Sequence, residues 1–121
     1  MNRGDIVVGV APGDYGKPRP ALVVQSNLFN PTHASVVICP ITSYLIDAQL
    51  FRLTIEPAPE NGLKAESQIM IDKIVAVKRE RIGNRIGKLD AAHMARVDEA
   101  LRTWLELGGG SVTADPSLRS G

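Results

Sequence analysis

The stretch Lys17-Pro18-Arg19-Pro20-Ala21-Leu22-Val23-Val24-Gln25-Ser26 decides how the chain is read, because it joins a cation set between two prolines to an apolar run. Pro18 fixes its own φ near about −65°, and Pro20 pushes Arg19 out of the α region into extended backbone. Pro20 has no N–H for a ladder, so it belongs at the first residue of a strand. Ala21 to Val24 then has the length and β-branched content of a buried strand. Arg19 is thereby a guanidinium at the rim of a sheet with much of its backbone freedom removed. Taken alone, an arginine there would pair with any nearby carboxylate, but a surface ion pair needs no such stiffening.

Working outward, Asp5 to Ala11 reads as a first strand, and Pro12-Gly13-Asp14-Tyr15-Gly16 as the loop that leads into Arg19. Turn residues around Leu28-Phe29 separate the second strand, Pro20 to Gln25, from a third, Ala34 to Cys39 with Pro40-Ile41, which delivers Thr42-Ser43 at its end. Phe51 to Ile55 is a short fourth strand, followed by a break at Glu56-Pro57-Ala58-Pro59-Glu60-Asn61-Gly62. Ser67 to Ile71 is a fifth strand, which Ile74 to Val77 extends after Asp72-Lys73, and a short strand lies around Arg85 to Leu89. A helix begins at the N-cap candidate Asp90 and stops at Gly108-Gly109-Gly110. Its apolar stripe, Met94, Val97, Leu101, Trp104 and Leu105, predicts core packing. Many short strands with one late helix predict a mainly β fold with a C-terminal helix: a small, partly closed antiparallel barrel. Residues 1–107 are expected to form its single domain, with 108–121 a disordered polar tail.

Composition narrows the function classes. A chain of 121 residues and formal net charge +1 is one domain with no charge bias toward a polyanion, and only five aromatic residues leave Val, Ile and Leu to build the core. The lone Cys39 excludes an internal disulfide and predicts a reducing compartment. His33 and His93 stand far apart without cysteine or acidic ligand spacing, so neither metal nor cofactor is expected. No apolar h-region opens the chain and no run approaches a membrane span, which predicts a cytoplasmic protein.

Several blocks, in order, carry a family resemblance: Arg3-Gly4-Asp5-Ile6-Val7, the run from Lys17 to Gln25, Pro40-Ile41-Thr42-Ser43, Glu66-Ser67-Gln68-Ile69-Met70-Ile71-Asp72, and the helix entered at Leu89-Asp90. Over about residues 3 to 107 the chain resembles the MazF/PemK family of toxin-antitoxin toxins. The resemblance implies an SH3-like barrel, a homodimer, cleavage of single-stranded RNA (mRNA) at specific sequences, and inhibition by a cognate antitoxin. It matches Arg19 and Thr42 to the family's principal catalytic arginine and threonine. In one branch the counterpart of Asp72 is a proposed general base, with a histidine in the loop before the arginine. Gly13 stands at that histidine's position here, and Asp14 at the acidic position beside it.

The residues themselves fit that chemistry. Cutting RNA without a metal needs a base for the 2′-hydroxyl, an acid for the leaving 5′-oxygen, and positive charge beside the phosphorane. The planar donor fork of Arg19 matches phosphate oxygens, and its very high pKa makes it a poor proton donor. Thr42 can hydrogen-bond a phosphate oxygen, while Asp14 and Asp72 are the carboxylates available for proton transfer. Candidate RNA contacts are Lys17, Tyr15, Ser43, Tyr44, Lys73, Lys78 and Arg79. Tyr15 and Tyr44 can stack on bases, and the basic run from Lys73 to Lys88 can track a backbone. The competing expectation is a CcdB-like toxin that binds DNA gyrase on the same barrel and cuts nothing. Arg19 and Thr42 together favour the nuclease, since a gyrase binder does not require that pair.

Overall fold

The computed structural model describes residues 1–13 and 15–108. Its strands are β1 (Asp5–Gly9), β2 (Arg19–Val23), β3 (Ser35–Thr42), β4 (Arg52–Ile55), β5 (Ser67–Met70), β6 (Val75–Lys78) and β7 (Ile82–Lys88), followed by one helix, α1 (Ala91–Leu105). All pairings are antiparallel in the order β4-β5-β3-β2-β1-β7, with β6 also on β3. The sheet does not join its two terminal strands, so the barrel is open between β4 and β7.

The unbroken apolar run of β2 has a simple cause: both faces of the strand are covered. Leu22 and Val24 point into a larger core with Ile6, Cys39, Ile41, Ile69 and Val97, while Ala21 and Val23 point into a second cluster with Val7, Val36, Ile38 and Val77. The period of two along one strand therefore feeds two cores. Strand β3 is long enough to change partners on one edge, pairing β6 from Ser35 to Ile38 and β5 at Ile41 and Thr42. Pro40, with no N–H for a ladder, lies in the interval between them.

Three expectations need correction. Ile74 to Val77 does not extend the fifth strand: a 3-10 turn at Ile71–Lys73 redirects the chain, and β6 pairs with β3. Burial of the Ile71 side chain anchors that turn. The glycines do not stop the helix; Glu106 does, in the left-handed region at φ 55°, with its N–H bonded to the Arg102 and Thr103 carbonyls. The predicted stripe holds only in its first turns. Val97 and Leu101 are buried together with Ala100, but Trp104 and Leu105 stay 46% exposed, Trp104 lying against Phe51 at a centroid distance of 5.4 Å. The helix start is as expected, with the Asp90 side chain accepting from the His93 N–H at 2.8 Å. The polar stretch expected to be disordered lies, from residue 109, outside the described residues. No helix among them is long and apolar enough to cross a membrane.

The loop from Glu56 to Glu66 is folded tightly against β7. The buried Asn61 side chain accepts from the Ala58 and Leu63 N–H groups and donates to the Glu56 carbonyl. Gly62 takes φ +69°, and a Cβ there would sit 2.1 Å from the Ile86 carbonyl oxygen; a Cβ on Gly87 would sit 2.3 Å from the Asn61 carbonyl carbon. Neither clash is relieved by a side-chain rotation, because both partners are backbone. Gly62→Ala is expected to destabilise the fold by about 2–3 kcal/mol or more, read as a lower denaturant midpoint with unchanged slope. A midpoint within error of the parent would show that the loop can lift off β7.

Candidate active site

Two strand ends create the site. In the β2–β3 ladder Ala21 stands opposite Pro40 and Leu22 opposite Cys39, so continuing the register by two residues sets Arg19 across from Thr42. On its other side Arg19 is paired with Gly9 of β1. An exposed cation and a half-exposed hydroxyl thus face the same space from neighbouring strands. That space is a cleft of about 630 Å³, lined by Arg19, Thr42, Tyr44, Arg52 and Lys73 over a floor that includes Pro40 and Met70.

The Thr42 hydroxyl is oriented. Its Oγ1 accepts from the Tyr44 N–H at 3.0 Å, which leaves the hydroxyl proton for an acceptor in the cleft. Tyr44 is 76% exposed, with its ring available for stacking. The loop that carries it is pinned from beneath by the buried Gln68: Oε1 accepts from the Ile46 N–H at 3.0 Å, and Nε2 donates to the Ile46 carbonyl at 2.9 Å. One amide side chain thereby imitates a strand neighbour for a segment outside the sheet.

The 3-10 turn after β5 places two adjacent residues differently. Lys73 lines the cleft, whereas Asp72 is held by Arg52, which donates from Nε to Oδ1 at 2.8 Å and from Nη2 to Oδ2 at 3.1 Å. The pair is only 10% and 17% exposed. The Arg52 guanidinium beside Asp72 holds its carboxyl below the usual aspartate range, against a smaller opposing effect of burial. A carboxylate so stabilised is a weak base.

The other sequence candidates are dispersed. Asp14 lies outside the described residues; Gly13 before it lines the cleft. Lys17 is exposed two residues before Arg19. Tyr15, fully exposed at φ 53°, borders a neighbouring cleft of about 520 Å³ with Lys78 and Arg81, which shares the lining residues Ala11 to Gly13 with the first. Ser43 and Arg19 border a third hollow of about 440 Å³, facing Lys64. Arg79 is engaged within the fold, where it donates to the carbonyls of His33 and Asn30 and clamps the loop after β2. Arg85 pairs with the buried Asp5 at 3.0 Å. The basic run is therefore not one face: Lys73, Lys78 and Arg81 turn to the clefts, while Arg79 and Arg85 hold the fold together. Arg52 and Gln68 escaped sequence reasoning, since each acts on a segment about twenty residues away and leaves no local pattern. Among the described residues, no three His, Cys, Asp or Glu side chains come together as a metal-holding group.

Comparison with known proteins adds an independent line. The family model for PemK-like, MazF-like toxins of type II toxin-antitoxin systems matches residues 2–105. The chain is 44% identical over 110 residues to a probable endoribonuclease MazF of Mycolicibacterium smegmatis, covering 90% of this chain and 100% of that relative. It is 29% identical over 111 residues to endoribonuclease EndoA of Bacillus subtilis, covering 88% and 96%. Among solved structures, the fold matches Mycobacterium tuberculosis toxin MazF-mt6 with a TM-score of 0.75 at 22% identity, over 87% of this chain and 99% of that one. It also matches a mycobacterial endoribonuclease in complex with its cognate antitoxin, with a TM-score of 0.73 at 22% identity, over 91% and 99%.

Proposed function

The chain belongs to the PemK-like, MazF-like toxins of type II toxin-antitoxin systems, and from that premise we propose that it cleaves single-stranded RNA through the substrate's own 2′-hydroxyl. The observation that carries the proposal is the convergence of Arg19, Thr42 and Lys73 on one open cleft beside an exposed tyrosine. Arg19 and Lys73 bring a phosphodiester in, and Tyr44 offers a ring for an adjacent base. As the 2′-proton passes to solvent, O2′ attacks phosphorus. Charge builds on the non-bridging oxygens, where the Arg19 fork and the Thr42 hydroxyl act as preorganised donors. The P–O5′ bond then breaks and O5′ takes a proton from solvent, leaving a 2′,3′-cyclic phosphate and a 5′-hydroxyl. The roles proposed for Arg19, Thr42 and Lys73 need no divalent metal, so cleavage is expected in its absence.

The working unit in this proposal is a homodimer, neutralised by a cognate antitoxin whose acidic segment covers the basic clefts. Relatives that carry the name endoribonuclease, together with the Arg19/Thr42 pair, favour this over gyrase binding without cleavage. The test is incubation of purified protein with a defined single-stranded RNA in excess EDTA, with end-group analysis of the products. Discrete fragments with cyclic phosphate ends are expected. Intact RNA with and without metal, or cutting only when metal is added, would overturn the proposal.

A further inference from the structure

We propose that Arg52 is a second catalytic cation, its guanidinium contacting the reacting phosphate in the cleft it shares with Arg19, and that Asp72 serves only to aim it. The assignment rests on the RNA-cleaving function inferred above. Its basis is which half of the ion pair meets the cleft: Arg52 lines it and Asp72 does not. The carboxylate uses the Nε–H and one Nη2–H of Arg52, which leaves three N–H donors of the fork outside that bond. Arg52 stands opposite Met70 in the β4–β5 ladder, and Met70 also lines the cleft, so the side chain starts from a residue already at the cleft floor. At 10% exposure the Arg52 side chain is largely removed from water, where a donor to a developing oxyanion acts most strongly.

A purely structural pair is the competing account. Such a pair gains little over apolar residues of the same volume, and nothing in that account requires the arginine rather than the aspartate to border the cleft. General-base duty for Asp72 fares worse, because a base in the transition state must reach the 2′-hydroxyl and Asp72 is not among the residues that line the cleft.

The experiment combines single-turnover cleavage with binding of an uncleavable 2′-deoxy analogue. Arg52→Ala is expected to slow cleavage about 10²-fold, the scale of losing one preorganised transition-state donor. It should also make the salt dependence of analogue binding shallower by about 0.7 for each phosphate the variant no longer neutralises. Asp72→Ala should slow cleavage less, and should add nothing in the Arg52→Ala background, since a positioning residue acts only through its partner. Asp72→Asn should keep the shape of the wild-type pH–rate profile. Because Arg52→Ala strands a buried carboxylate, the paired replacement Arg52→Met with Asp72→Leu provides a folded control and should show the same loss of rate and salt slope. Multiplicative losses in the double variant, a missing acidic limb in Asp72→Asn, or unaltered rate and slope in the Met/Leu pair would each overturn the assignment. Wild-type cleavage with equally fast Arg52 variants sinks this inference alone. Wild-type binding of RNA without any cleavage sinks the functional proposal, and the salt slope still decides whether Arg52 touches phosphate.

Discussion

An RNA with one deoxyribose immediately 5′ of the scissile phosphate is expected to remain uncut at that bond while still binding the protein. The cleft presents the cations of Arg19, Arg52 and Lys73 and the hydroxyls of Thr42 and Tyr44, and no serine or cysteine is among the described residues that line it. In the proposed reaction the attacking oxygen comes from the substrate, and a ribose without its 2′-hydroxyl has none to give. Binding should survive because phosphate contacts dominate affinity for single strands, with a salt slope of about −0.7 per phosphate neutralised. A gel assay with a matched all-ribose control, read alongside fluorescence anisotropy at two or more salt concentrations, separates the two effects. Cutting of the deoxy substrate at the same bond would show that water attacks directly, and the roles given to Arg19 and Thr42 would have to be reassigned.

Arg19→Ala should lower the cleavage rate by about 10²-fold or more, and Arg19→Lys should recover little of it. The guanidinium presents a planar pair of donors from a backbone already stiffened by Pro18 and Pro20 and tied into the β1 register at Gly9. A lysine restores the charge as a point on a flexible stem, without the fork. Thr42→Ala should cost less, because its hydroxyl contributes one neutral hydrogen bond beside a full charge. Thermal unfolding of the same variant is the control: a fall in rate at an intact melting temperature isolates the chemical role. Arg19→Ala activity within about threefold of the parent, far short of the loss of one transition-state donor, would contradict the assignment.

The positions of the first three strands were legible because the information is local, whereas Arg19 and Thr42 were put together through the family resemblance. Pro-Arg-Pro fixes where β2 begins, β-branched runs mark β1 to β3, and an antiparallel hairpin brings the start of one strand to the end of the next. The limits of β6 were not legible: Ile74 to Val77 has the same apolar texture whether it prolongs β5 or pairs β3, and the turn at Ile71–Lys73 resolves the choice through burial of Ile71. The end of the helix was misplaced for a related reason. Three glycines are a strong stop signal, yet the chain had already left the helix at Glu106, with Trp104 and Leu105 past the edge of the core.

The sequence by itself determined the chemistry on offer: a stiffened arginine, a strand-end threonine, carboxylates nearby and a basic run. Only the tertiary structure decided which of these groups share a space. Arg52 and Asp72 are twenty residues apart, Gln68 and Ile46 twenty-two, and Arg79 reaches carbonyls more than forty residues away. Sequence periodicity reports which face of its own element a residue occupies, but such pairings depend on how elements pack across the barrel. Hence Arg79, basic like Lys73 in sequence, holds a loop in place, while Arg52, an ordinary strand residue in sequence, faces the cleft.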